Sequence, residues 1–298
     1  MNYLVNLEKC VTGFCIDNQF VDCISNESVY KIDKHTKEII YSKKLFKKEG
    51  FSRNLVANNK LLFIRDFYTL YIMDKNNYSI LSILQLGNDL SSDICGMTID
   101  EKNIYTCMRN GAINVIDIKN FTIQEINHIS STSIWDIHSY NDILVGVSVG
   151  GELLYINKAN MELIKSILLS KQNIGSFSID MYNIYAAGQD KILYLVDTES
   201  GMCISKKRNA HKRMFDCVGI YNNYIITISY PCSEITFWNK ETLELESTIN
   251  IPLKLSGRTM IENDTLHIAS RNINGIISFD LKQYLTSEHK LFHNQITK

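Results

Sequence analysis

Arginine is the scarce cation of this chain, and its placement is the first thing that could do chemistry. The 31 basic residues comprise only seven Arg, at 53, 65, 109, 208, 213, 258 and 271, against 24 Lys. A guanidinium offers a planar fork that matches carboxylate or phosphate bidentately, whereas an ammonium is a point charge. The histidines (35, 128, 138, 211, 267, 289 and 293) have no metal-ligand spacing. Eight cysteines occur without a C-x-x-C pair, which reads as reduced thiols and not as a disulfide framework or zinc site. There is no P-loop, nucleophile elbow, H-E-x-x-H or acidic calcium loop. No metal and no cofactor are therefore expected, and the absence of a catalytic constellation points toward binding more than catalysis.

Composition narrows the classes further. With 31 basic and 32 acidic residues the formal net charge is −1, so no global field draws nucleic acid or an anionic membrane surface. No apolar run reaches the ~18 residues of a bilayer span. The opening MNYLVNLEKC lacks the basic and apolar regions of a secretory signal. The expected setting is the cytoplasm. At ~150 residues per domain, 298 residues suggests two, but closed all-β folds reach this size as one.

Any such residues must be positioned by elements, and these emerge from an internal repeat. Segments YKIDKHTKE, YIMDKNNYS, NVIDIKNFT, LYINKANME, YLVDTESGM, TFWNKETLE and ISFDLKQYL share a large apolar residue, then Asp or Asn, then a polar turn. The acid or amide falls at Asp33, Asp74, Asp117, Asn157, Asp197, Asn239 and Asp280, at intervals of 41, 43, 40, 40, 42 and 41 residues. Within the fourth unit, IWDIHS, ILVGVS, ELLYIN and LIKSIL are strand-like and separated by turn residues, which predicts a four-stranded antiparallel meander. An Asn before each second strand (18, 58, 103, 141, 183, 222 and 263) suits a left-handed turn position. No segment sustains a helical period, so helix should be scarce.

Seven such units resemble a WD-repeat β-propeller, or a quinoprotein-like propeller without cofactor, over residues 10–281. Trp238-Asn239 keeps the Trp of the family's dipeptide, while Ile32, Met73, Ile116, Ile156, Val196 and Phe279 replace it elsewhere. His128 and His211 match the family's loop histidine and Asp190 its tight-turn acid, but no unit carries the whole His, Ser/Thr, Asp and Trp network. The resemblance implies an all-β, seven-bladed β-propeller of four-stranded blades, about 41 residues each, in one domain spanning 1–298. Its C-terminal tail is about 285–298. Asn2–Leu7 precedes the first inner strand as an outer strand would, and is expected to close the last blade; the alternative is that the tail supplies that strand.

Laying the units over one another brings the arginines together. The segments leading into the innermost strands, and those leaving the second strands, should face one side of the ring. Their 28 positions hold Arg53, Arg65, Arg109, Arg258 and Arg271 and no Lys, where chance gives about 0.7 Arg and about 2.3 Lys. Trp135, Asp136 and Tyr230 lie in the same columns. The expected function is a non-catalytic scaffold whose Arg- and aromatic-rich mouth binds a protein or peptide bearing acidic groups, the chain itself being monomeric. The alternative is an enzyme or small-molecule binder holding an anionic substrate in the central funnel. A bland reading also stands, in which each Arg pairs with a neighbour such as Asp66, Asp136 or Asp216 and stiffens the loops.

Overall fold

The computed structural model describes residues 2–25, 27–46, 54–212, 214–229, 234–251, 258–269 and 273–285. Strand β1 (Asn2–Asn6) is followed by the first blade, β2 (Val11–Ile16), β3 (Phe20–Ser25), β4 (Ser28–Asp33) and β5 (Ile39–Lys44). The second is β6 (Asn54–Ala57), β7 (Leu61–Asp66), β8 (Thr69–Asp74) and β9 (Ile80–Gln85), and the third β10 (Ile94–Ile99), β11 (Asn103–Met108), β12 (Ala112–Asp117) and β13 (Thr122–His128). The fourth is β14 (Ile134–Tyr140), β15 (Ile143–Ser148), β16 (Glu152–Asn157) and β17 (Leu163–Leu168). The fifth is β18 (Ile174–Ile179), β19 (Asn183–Gly188), β20 (Leu193–Asp197) and β21 (Cys203–Lys207). The sixth is β22 (Phe215–Tyr221), β23 (Tyr224–Ser229), β24 (Glu234–Asn239) and β25 (Leu245–Asn250). The seventh has β26 (Thr259–Glu262), β27 (Thr265–Ala269) and β28 (Gly275–Asp280), and α1 (Leu281–Leu285) follows. Each blade is an antiparallel sheet of four consecutive strands, except that β1 pairs with β28 and completes the seventh. The first strands pack on one another around an inner ring, and β2 against β26 closes it. This is a seven-bladed β-propeller with the N-terminal strand as its closure.

The recurrent Asp or Asn is explained by turn physics. At all seven positions the side-chain oxygen accepts a backbone N–H two or three residues on, as in Asp33 to Thr36 (2.8 Å), Asp197 to Ser200 (2.7 Å) and Asn239 to Thr242 (3.1 Å). In five blades the fifth residue of the turn takes a positive φ and donates its N–H back to the Asp or Asn carbonyl. These residues are Lys37, Tyr78, Phe121, Gly201 and Leu243. Beside the turn, the Trp-position column is uniformly buried, from Ile32 to Trp238 and Phe279, and packs blade on blade.

The Asn expected at left-handed positions divides into two groups. Asn141, Asn222 and Asn263 do adopt positive φ, in two-residue hairpins such as Tyr140↔Ile143. Asn18, Asn58, Asn103 and Asn183 do not. There the loop is longer, and Asp17, Asn58, Asp100 or Asp180 opens it by accepting the following N–H groups.

That division governs how blades are joined. Each inner strand ends, or its loop opens, on one residue (Asp17, Asn58, Asp100, Tyr140, Asp180, Tyr221, Glu262), and the next blade contributes the residue after its recurrent Asp or Asn. Where the first is acidic, the second is lysine: Asp17 with Lys75, Asp100 with Lys158, Asp180 with Lys240, and Glu262 with Lys34 around the closure. Where it is Asn58, Tyr140 or Tyr221, the following blade has Ile118, Thr198 or Leu281. The tyrosines bond differently, Tyr140 to the Met181 carbonyl at 2.9 Å and Tyr221 to Asp264 at 2.6 Å.

Candidate functional site

β-Bulges decide which side chains reach the mouth. In the first, third, fourth, fifth and sixth blades the inner strand carries one extra residue, at 12, 95, 135, 175 and 216. A bulge bends its strand and re-aims a side chain. Register therefore aligns Gly13, Asn54, Gly96, Asp136, Ser176, Cys217 and Thr259, each opposite the second strand. From sequence, Gly13, Gly96 and Ser176 fall in one column with Trp135 and Arg258, whereas register sets them level with Asp136 and Thr259, one position on. At this level the ring is tight: a Cβ on Gly13 would lie 2.8 Å from Asn54 Cα, and one on Gly96 3.0 Å from Asp136 Cα. Ser176 Oγ accepts the Val218 N–H (3.1 Å) and Cys217 Sγ meets Thr259 Oγ1 (2.5 Å), so neighbouring inner strands are bonded through side chains.

Arg65 departs from its expected exposure. It occupies the second-strand position filled by Ile24, Cys107, Val147, Ala187, Ile228 and Ile268 in the other blades, and it is buried. Its guanidinium donates to the Ile94 carbonyl of the next blade. Burial, reinforced by the like charge of Arg258, lowers it to about 10, so it stays cationic near neutral pH. Arg109 is half exposed and paired with Asp93 at 3.2 Å, which is the bland reading realised in part. Arg258 and Asp136 lie close enough to act on each other. Burial pushes the Asp136 carboxyl up, but His138 (Nε2 3.6 Å from Oδ2) and Arg258 outweigh it and hold the carboxyl below its usual range. Trp135 is 42% exposed at its bulge. Arg53, Tyr230 and Arg271 lie outside the described residues.

The exposed groups sit on a bonded track across the second to fourth blades. The β7–β8 turn is tied to the start of β10 by Ile94 N–H donating to the Phe67 carbonyl (2.9 Å). Arg109 N–H then donates to the Asp93 carbonyl (2.8 Å), Ser133 Oγ to the Arg109 carbonyl, and Val149 N–H to the Ser133 carbonyl (2.9 Å). Along it Phe67, Leu90, Trp135 and Val149 are 38, 66, 42 and 40% exposed, with the Arg109 guanidinium among them. Phe67, at φ 53°, is a bulky residue in the left-handed region, a placement its partial exposure does not repay through packing. Leu90 gives no signal in the sequence, since its turn position looks ordinary in one dimension.

His211 serves structure. Trp238 Nε1, which can only donate, bonds Thr227 Oγ1 at 2.7 Å, and His211 Nε2 is 2.7 Å from the same oxygen. Thr227 Oγ1 can accept from both rings or give its own hydrogen to His211 Nε2, and burial keeps the imidazole neutral near pH 7. Blade six accordingly holds a His–Thr–Trp trio, of which Thr227 was not recognised in the sequence. Asp190 accepts from Ser170 Oγ (2.6 Å) and Tyr194 OH (2.5 Å), tying its turn to the loop before it. His128 departs from expectation: it is exposed on outer strand β13. His138 is partly exposed against Phe177, with ring centroids 4.4 Å apart. Among the described residues no group of acids, cysteines and histidines could hold a metal ion, and no disulfide joins the described cysteines. No described helix is long and apolar enough to cross a membrane.

No protein-family model matches the chain, and no curated protein matches it. Among solved structures it is similar to the computationally designed Ika8 protein, at 9% identity and a TM-score of 0.71, over 94% of this chain and 100% of that one. At such identity the likeness speaks to the fold alone. The ring of seven blades is what the resemblance implied; no family match accompanies it, and the chain is a seven-bladed β-propeller.

Proposed function

We propose that this propeller is a binding scaffold that engages a protein or peptide on its mouth face through the second to fourth blades. The observation that carries the reading is the hydrogen-bonded track that holds Phe67, Leu90, Arg109, Trp135 and Val149 outward on preformed loops. Preformed loops reduce the ordering cost of association, and exposed aromatic and Arg side chains are the groups that dominate interface energetics. Arg258 and Arg109 supply cationic forks for carboxylates of the partner, with Arg53 and Arg271 as further candidates and Tyr230 as a further aromatic. Arg65 supports this face from within by holding the Ile94 carbonyl. A funnel site for a small anion is less favoured, because Arg65 is spent on a backbone carbonyl.

The test is selection of peptides from a displayed random library on the immobilised protein, followed by affinity measurements on the variants. Selected peptides should be rich in Asp, Glu and apolar residues. Trp135→Ala and Arg258→Ala should each weaken binding roughly 30-fold, the scale of a 2 kcal/mol hot spot, and Arg258→Lys should restore only part. Peptides that bind all variants like wild type, or lack acidic residues, would place the site elsewhere.

A further inference from the structure

Closing the ring protects the inner strands, but the far edge of each blade's outer strand pairs with no other strand among the described residues, and so is a template for another strand. Proteins usually guard such edges with charge. Five of the seven do so here: Lys43 and Lys44 in β5, Glu125 in β13, Lys165 in β17, Lys206 and Lys207 in β21, and Glu246 in β25. β1 has no charged residue of its own, but its Tyr3 carbonyl accepts the Lys37 ammonium at 2.9 Å. β9 differs from all of these. From Asn76 to Asn88 the chain contains no charged residue, and Ile80, Leu81 and Ile83 are 38, 45 and 54% exposed along the strand.

We propose that β9 is a self-association edge, pairing antiparallel with β9 of a second copy about a two-fold axis to join two blades into one eight-stranded sheet. The occupant follows from charge matching. An uncharged aliphatic edge offers nothing to a strand selected by charge, and it would strip water from any charge set against it. Its complement is another uncharged, unguarded edge, and among the described outer strands β9 alone is one. A two-fold pairing centred on Ser82 sets Leu81 opposite Ile83 and brings no charge to the seam. Two copies also repel little, since the net charge is −1. Two-fold closure consumes the edge and stops at a dimer. The sequence expectation of a monomer had no means of seeing which strands end at an edge. One strand pair is small beside a standard interface of roughly 1,600 Å². The dimer is therefore weak and concentration-dependent, and it leaves the mouth face uncovered.

Sedimentation equilibrium of the full chain from low to high micromolar concentration tests this. Wild type should shift toward twice the monomer mass as concentration rises. Ile83→Lys, a change at an exposed site that should leave the melting temperature unaltered, should remain monomeric throughout, as should Leu81→Lys. Ile126→Lys, on the exposed outer strand β13, should associate like wild type. A wild type that is monomeric at every concentration overturns the proposal. So does a folded Ile83→Lys and Leu81→Lys pair that still dimerises, or an Ile126→Lys variant that loses the dimer equally.

Discussion

Lowering the pH from 7 to 5 should destabilise this propeller through two buried histidines, and the amount can be worked from the structure. His211 is enclosed by Phe215 and Trp238 and bonded to Thr227, and burial depresses its imidazole from 6.5 to about 4. His267, bonded to Ser278 at 2.7 Å, is likewise depressed to about 4, by burial first and also by Lys34, against the opposing pull of Glu262. A folded-state value below the unfolded one means that the unfolded chain takes up the proton first. The stabilisation is therefore complete above pH 6.5 and drains away as pH falls toward 4. Integrating the linkage relation between pH 7 and 5 gives about 2 kcal/mol per histidine, about 4 for both, a large part of a typical total of about 5–15 kcal/mol. Asp17, Asp100 and Asp180 are held below their usual range, so their contributions are already complete above pH 5 and do not enter this window. Asp22, raised by burial despite Tyr78 and Lys75, works in the opposite direction. Comparison with His211→Phe cancels that opposing contribution. Urea unfolding at pH 7, 6 and 5 should show wild type losing about 2 kcal/mol more than His211→Phe over the interval. Equal losses in the two proteins would show that His211 is not held neutral by burial.

Three other outcomes are expected. Trp238→Ala should lower stability by ~3–5 kcal/mol, the range for truncating a buried large aromatic, whereas Trp238→Phe should lose mainly the bond to Thr227, about 1 kcal/mol, measured by the same denaturation. A double-mutant cycle on Lys240 and Asp180 should give a coupling of about 0.5–1 kcal/mol that falls with added salt, while exchanging the two residues recovers most of it; no coupling would mean that the repeated acid–lysine seams are incidental. Deleting residues 1–8 removes β1, leaves β28 as a raw edge, and should lower the melting temperature markedly; a truncated protein that melts like wild type would refute N-terminal closure.

The acid–lysine seams show how tertiary structure changes the meaning of a repeat. Lys34, Lys75, Lys158 and Lys240 all follow the recurrent Asp or Asn, so their recurrence is visible in one dimension. Their partners lie in the preceding blade, and only packing shows that an acid there goes with lysine here. Lys240, which from sequence suits a neutral surface control, is in fact a seam residue.

The repeat itself was enough to determine the number of blades, the four strands in each and the buried column from Ile32 to Phe279, while closure by Asn2–Leu7 stood beside closure by the tail until the pairing of β1 with β28 decided it. The first three follow from local patterns: alternation sets strands, turn residues set hairpins, and the interval counts the blades. Which residues share the mouth was not determined that way. Inner-strand bulges leave the apolar pattern unaltered, and columns drawn from sequence mixed two register positions, setting Trp135 and Arg258 beside Gly13, Gly96 and Ser176. Arg65 was level with Ile24 already in sequence; register adds that Cys107, Val147, Ala187, Ile228 and Ile268 stand there in the other blades, a buried position throughout. The Arg column was a correct observation of composition, but whether a guanidinium faces solvent, a carboxylate or a neighbouring carbonyl depends on contacts between blades some forty residues apart. Those contacts exist only once the ring has closed.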